Sequence, residues 1–320
     1  MTRGQRGFTL IELMISLVMF SLAMAGIFSI AVTLSSGLRQ QRQVVAIQDS
    51  ARASIDVISD AVRGMSPGVA SGDIQHVNTC ATGAFSVTNS STGPDEITVV
   101  FSSPGPATST RSAYGTGTTS VVLTDVSQIS VGATLLITDL TKGHLVTVTN
   151  IDASSGLTTL AAQSCATLAL PSGGYTAGSL VIPVQRARFY IDTINGTPTL
   201  MMDPDAEGPA GAEPLAEGIE DLQIAVGIDT GAMDGNLVEV GAGANDDEWE
   251  YNVAGDAALS GRIRAVRLSV IARAAAELQG GTPSFLRPAL EDHAGSSVAD
   301  AFRRRVLSST IELRNLEGSP

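Results

Sequence analysis

Glu12 is a carboxylate at the mouth of an apolar run. From Leu13 to Leu34, 22 residues, nothing is charged. A carboxylate at the centre of a membrane helix costs about 2.5–3.5 kcal/mol, less near an end, and calls for a partner of opposite charge. Elsewhere reactive side chains are sparse. His76, His144 and His293 fall in loop-like stretches, and none stands at metal-ligand spacing from another His, Cys or carboxylate. The loop from Asp229 to Asp256 is acidic, with Asp229, Asp234, Asp246, Asp247, Glu248, Glu250 and Asp256. Oxygen-rich loops can hold calcium, but this spacing is not that of an EF-hand, and a solvated loop is the favoured reading. No catalytic set, cofactor or metal is expected.

What positions Glu12 is the helix it opens. Twenty-two residues at 1.5 Å rise give about 33 Å, enough to cross a hydrocarbon core of about 30 Å. Arg3 and Arg6 precede it with no acid between. Positive charge stays on the cytoplasmic side, so the chain after Leu34 is expected across the membrane. The small-residue cleavage pattern of a secretory signal is not clear here. Beyond Leu34 the apolar residues Leu38, Val45, Ile55, Ile58 and Val62 recur mostly at multiples of three and four, with polar residues between them. The helix therefore continues in amphipathic form to about residue 64, where Gly64-Met65-Ser66-Pro67-Gly68 ends it. Its Gly26 is a weak point.

The stretch Gly7-Phe8-Thr9-Leu10-Ile11-Glu12 resembles the processing signature of type IV pilins and type II secretion pseudopilins. The resemblance implies a leader of residues 1–7, cut between Gly7 and Phe8 by a membrane-bound prepilin peptidase, and N-methylation of the new Phe8 amine. It implies that Glu12 pairs with the Phe8 amine of a neighbouring subunit, since a buried charge must be paired. A plain signal anchor with an incidental Glu12 is the alternative. The helix, 8–64, would span the membrane over about 8–34 and be amphipathic over 35–64.

The net charge of −13 argues against a nucleic-acid partner. Few aromatics and abundant Gly, Ser and Thr suit a β-rich extracytoplasmic domain over residues 65–320. Cys80 and Cys165 would lie in an oxidising compartment, which favours a disulfide over two buried thiols. Such a bridge closes about 85 residues and contributes about 4.5 kcal/mol in the chain-entropy account.

The expected fold is α+β: a long N-terminal helix, transmembrane in its first half, packed on an antiparallel β-rich globular head. Strands are expected at Ala84–Val87 and Glu96–Ser102. Four more, Val121–Thr124, Thr134–Asp139, Leu145–Ile151 and Leu157–Leu160, suggest a small β insert over about 120–170. That insert serves either partner recognition or mere enlargement. Ser179–Thr193 and Thr199–Met202 form a hairpin around Asn195-Gly196, with Pro183 at an edge or break. Further strands are expected within Leu215–Asp229, over Arg262–Ala274, and over Phe302–Asn315. Arg303-Arg304-Arg305 reads as a solvated strand edge, or as a contact with an acidic neighbour.

Gly218-Ile219-Glu220-Asp221-Leu222 and the two later strands resemble the PilW group of larger minor pilins. That resemblance implies a structural subunit which helps start and assemble the type IV pilus. Its implied partners are other minor pilins, the major pilin, the peptidase and inner-membrane lipid, and its place the inner membrane and then the pilus. A type II secretion minor pseudopilin is the alternative. From another class, a membrane-anchored adhesin or hydrolase is the third reading.

Overall fold

A computed structural model of the chain describes residues 9–69, 73–76, 82–115, 117–161, 174–229, 237, 248–251, 262–277 and 284–313. Helix α1 runs Leu10–Arg63, about 81 Å at 1.5 Å per residue. The chain divides into two compact units, residues 1–46 and 47–320.

The described part of the first unit is helix alone. Its large apolar side chains between Leu10 and Leu34 are all exposed. It is long and apolar enough to cross a membrane, with a mean hydropathy of 2.3 over 18 residues. A helix apolar on all sides needs lipid or other helices around it.

The second unit begins on α1. Ile47, Ala51, Ile55, Ile58 and Val62 repeat every three or four residues and are buried. This stripe enters one large core with the sheets described next. Gly64 N–H still donates to Asp60 O, and Ser66 N–H turns off to Val100 O.

The strands are β1 (Ile74–His76), β2 (Phe85–Thr88), β3 (Glu96–Ser102), β4 (Thr108–Ser109), β5 (Ser120–Val122), β6 (Thr134–Thr138), β7 (Gly143–Asp152) and β8 (Leu157–Leu160). They continue with β9 (Leu180–Ile194), β10 (Thr197–Asp203), β11 (Glu213–Glu217), β12 (Ile219–Ile228), β13 (Trp249–Glu250), β14 (Ile263–Arg273) and β15 (Arg304–Glu312). One sheet orders them β11-β10-β9-β6-β7-β8-β5, with β1 on β7, β3 and β4 on β9, and β2 on β3. The other is β13-β12-β14-β15. Every pairing is antiparallel save β1 with β7.

Three differences from the sequence reading have physical causes. The segment around 120–170 does form four strands with a core of its own, including Tyr114, Leu123, Leu135, Val148 and Tyr175. It is not separate, however, because β6 pairs with β9 from Thr134↔Val184 to Thr138↔Leu180. Next, Leu215 lies in a strand of its own, β11, and Gly218, at φ +81°, turns the chain into β12. Finally, β12 is buried at nine of its ten positions instead of alternating. Leu222, Ile224 and Val226 face the α1 core, while Ala225 packs with Trp249 and Ala265 on the other side.

Asn195 and Gly196 both have positive φ, 51° and 81°, as a two-residue hairpin turn requires. Pro183 lies inside β9, at a gap between β4 and β3 on one edge. There its missing N–H breaks no ladder bond, and its carbonyl accepts from Ser103 N–H.

Candidate functional site

Gly7 and Phe8 lie outside the described residues, which begin at Thr9. Thr9 caps α1. Its Oγ1 accepts from Glu12 N–H at 3.3 Å, and Glu12 Oε2 accepts from Thr9 N–H at 3.1 Å and from Thr9 Oγ1 at 3.0 Å. This reciprocal arrangement satisfies two donors that a helix start leaves open. Both bonds to Glu12 use Oε2. The same carboxylate thus orders the first turn and keeps an oxygen, Oε1, that those bonds do not use. One exposed anion on an apolar helix can accept a cation.

A second cluster sits where β11 turns into β12, and each residue of Gly218-Ile219-Glu220-Asp221-Leu222 has a task there. Gly218 N–H donates to Pro198 O, and its carbonyl accepts from Arg273 N–H. A Cβ at Gly218 would stand 2.8 Å from Arg273 O. Ile219 and Leu222 are fully buried in the core. Glu220 takes the guanidinium fork of Arg304 through Nε and Nη2. Asp221, 1% exposed, accepts from Arg287 Nη1 at 2.8 Å, His293 Nδ1 at 2.7 Å and Gln223 Nε2 at 3.0 Å. The turn therefore anchors the 284–301 segment onto the second sheet through paired, buried charge.

Residues 188–315 match the family described as Type IV Pilus-assembly protein W, and residues 2–28 match the prokaryotic N-terminal methylation motif. Over these two stretches the chain is similar to PilW-type type IV pilins. The anchoring turn and strands β12, β14 and β15 lie inside the first match, and Glu12 inside the second. Among solved structures, a type IV-like pilin from Thermus thermophilus aligns at 12% identity and TM-score 0.38, over 84% of this chain and 96% of that one. No curated protein matches the sequence.

Some expected features fall outside the described residues, and others stand elsewhere than the sequence suggested. Cys80 and Cys165 lie outside the described residues, as does most of the acidic loop. Its Asp229 is buried and paired with Arg264 at 3.3 Å. Arg304 is not part of a solvated edge: its side chain is 6% exposed and held by Glu220 and Asp300. Arg305 alone of the three is exposed. His76 and His144 are on strands, not loops, and both are buried. Burial lowers each to about 4, so both are neutral at pH 7. His144 Nδ1 bonds Tyr175 Oη at 2.6 Å.

The letters Gly-x-Ser-x-Gly occur at Gly64–Gly68. Ser66 there is fully buried at the end of α1, and its Oγ donates to Val69 O at 2.6 Å. A nucleophile elbow instead exposes its serine after a strand.

Sequence reasoning missed Asp95. It is fully buried, accepts from Ser90 N–H and Ile224 N–H, both at 2.8 Å, and its own N–H donates to Leu222 O. It pins the start of β3 to β12, joining the two sheets. Burial raises its carboxyl to about 7 against these two bonds. The only sequence signal was an Asp before a strand, which reads equally as a turn.

Proposed function

We propose that this chain is a minor pilin that helps start and build the type IV pilus. Residues 1–7 are its leader, cut between Gly7 and Phe8, with Phe8 then methylated. Before assembly the first half of α1 holds the subunit in the inner membrane, and the β-rich part lies on the periplasmic side. On assembly its Glu12 pairs with the terminal amine of a neighbour, either another minor pilin or the major pilin. Cys80 and Cys165 form a disulfide.

The observation that carries this reading is the coincidence, in one chain, of the methylation motif at 2–28 and the PilW match at 188–315. The motif alone would serve a secretion pseudopilin equally well; the second match favours the pilus. Physically, the exposed apolar helix has nothing of its own unit to pack on, and parallel packing with like helices removes it from water or lipid.

Deletion of the gene tests the reading. Loss of surface pili and twitching, restored by the wild-type gene and with type II secretion intact, is expected. Loss of secretion with normal pili would transfer the protein to the secretion machine.

A further inference from the structure

Strands β6 and β10 share one edge of β9 without meeting. Pairing with β6 stops at Thr134↔Val184, and pairing with β10 ends at Asp203↔Arg188. Between them β9 has no strand partner on that edge among the described residues. Because Pro183 O accepts from Ser103 N–H on the opposite side, strand alternation turns the peptide N–H and C=O of Arg186 into this fork.

A cleft of about 540 Å³ fills the fork. Leu145, Val184 and Pro204 give it an apolar floor, while Arg186, Asp205 and Glu207 bring charge. Arg186 Nη1 donates to Ala206 O at 3.2 Å, but its Nε is buried without a partner among the described residues. The rim is pre-set. Fully buried Asp203 accepts from the N–H groups of Asp205, Ala206 and Gly208, fixing the loop that presents Asp205 and Glu207.

The chemistry selects a ligand class. One guanidinium faces two exposed carboxylates, and His76 at the wall is neutral near pH 7. Two carboxylates repel an anion, and Arg186 repels a cation. An apolar ligand would strand the charges in a dry site. A neutral ligand with closely spaced groups that each donate and accept satisfies both sets, and hydroxyls do this. We propose that the β6–β9–β10 fork is a binding site for a small neutral saccharide, whose hydroxyls donate to Asp205 and Glu207 and accept from Arg186. The volume lies in the range of small-molecule pockets.

The test is saturation-transfer NMR on the full chain in a zwitterionic, sugar-free detergent, since sugar headgroups would compete. The probes are glucose, galactose, mannose, N-acetylglucosamine and lactose, with the tripeptide Gly-Lys-Gly alongside. At least one sugar is expected to receive saturation. Glu207→Gln and Asp205→Asn, both on the exposed rim, should weaken it about tenfold each with an unchanged Tm. Silence from all five sugars overturns the proposal. So does transfer to the tripeptide alone, or sugar binding that survives the Asp205→Asn, Glu207→Gln double variant.

Discussion

Thr9 and Glu12 grip each other across the first turn of α1, each side chain taking the other's backbone N–H. On the proposed function Glu12 has two separable tasks, capping its own helix and offering a negative charge to a neighbour. Gln at this position keeps a capping box but carries no charge. Glu12→Gln should be cleaved and inserted as the wild type is, yet enter pili about tenfold or more less often, because a buried amine would lose its counter-charge. Immunoblots of sheared pili against membranes read this. Normal incorporation of Glu12→Gln would reduce Glu12 to a cap.

Three buried groups give unit 2 opposed pH dependences. His76 and His144 have about 4 in the folded state against 6.5 as the ordinary value. The unfolded chain binds those protons first, so each histidine removes stability as pH falls from about 6.5 to about 4, by about 3 kcal/mol at most. Asp95 acts in the other direction. Its carboxyl, raised to about 7 from 3.8, removes stability as pH rises from about 4 to about 7. Asp95→Asn should therefore steepen the gain in urea midpoint between pH 4 and 6.5. It should also lower the unfolding free energy by about 1–3 kcal/mol at pH 4, since one backbone N–H loses its acceptor. An unchanged slope would show that Asp95 does not titrate in this window.

Much of the fold was legible because its signals are local. The uncharged run, the Asn195-Gly196 turn and the β-branched strands each declare themselves within a few residues. What was hidden depends on partners far along the chain. Asp95 meets Ile224, 129 residues on, and Arg304 meets Glu220, 84 residues back. Neither distance leaves a spacing to read. The alternation of β12 was lost because both of its faces are covered. Of the candidate site, the motif Gly7-Phe8…Glu12 was readable as chemistry. The capping role of Thr9 was not drawn from the same letters, though Thr-x-x-Glu states it.

Arg304→Lys should fail to replace arginine. Its Nε and Nη2 hold Glu220 as a fork, and it also bonds Asp300; a single ammonium cannot reproduce this. A loss of about 2 kcal/mol is expected in chemical unfolding, as the part-buried Glu220 would lose a pair. A change below about 0.5 kcal/mol would mean the cluster behaves as an ordinary surface pair.

Gly218→Ala should be costlier than its size suggests. The position has φ +81°, and the new Cβ would lie 2.8 Å from a backbone oxygen that cannot swing away. A loss of about 2 kcal/mol or more is expected, visible as a lower Tm. A Tm equal to wild type would show that the β11–β12 turn has another geometry.

The central claim is that this chain enters the pilus pathway through its N-terminus. Intact mass of the membrane-extracted protein, with and without co-expressed prepilin peptidase, tests it most directly. With the peptidase, the predicted result is a chain lacking Met1–Gly7 and carrying one methyl group on the Phe8 amine. A chain that stays uncut in the presence of active peptidase would contradict the account, and Glu12 would then be only the cap of a signal anchor.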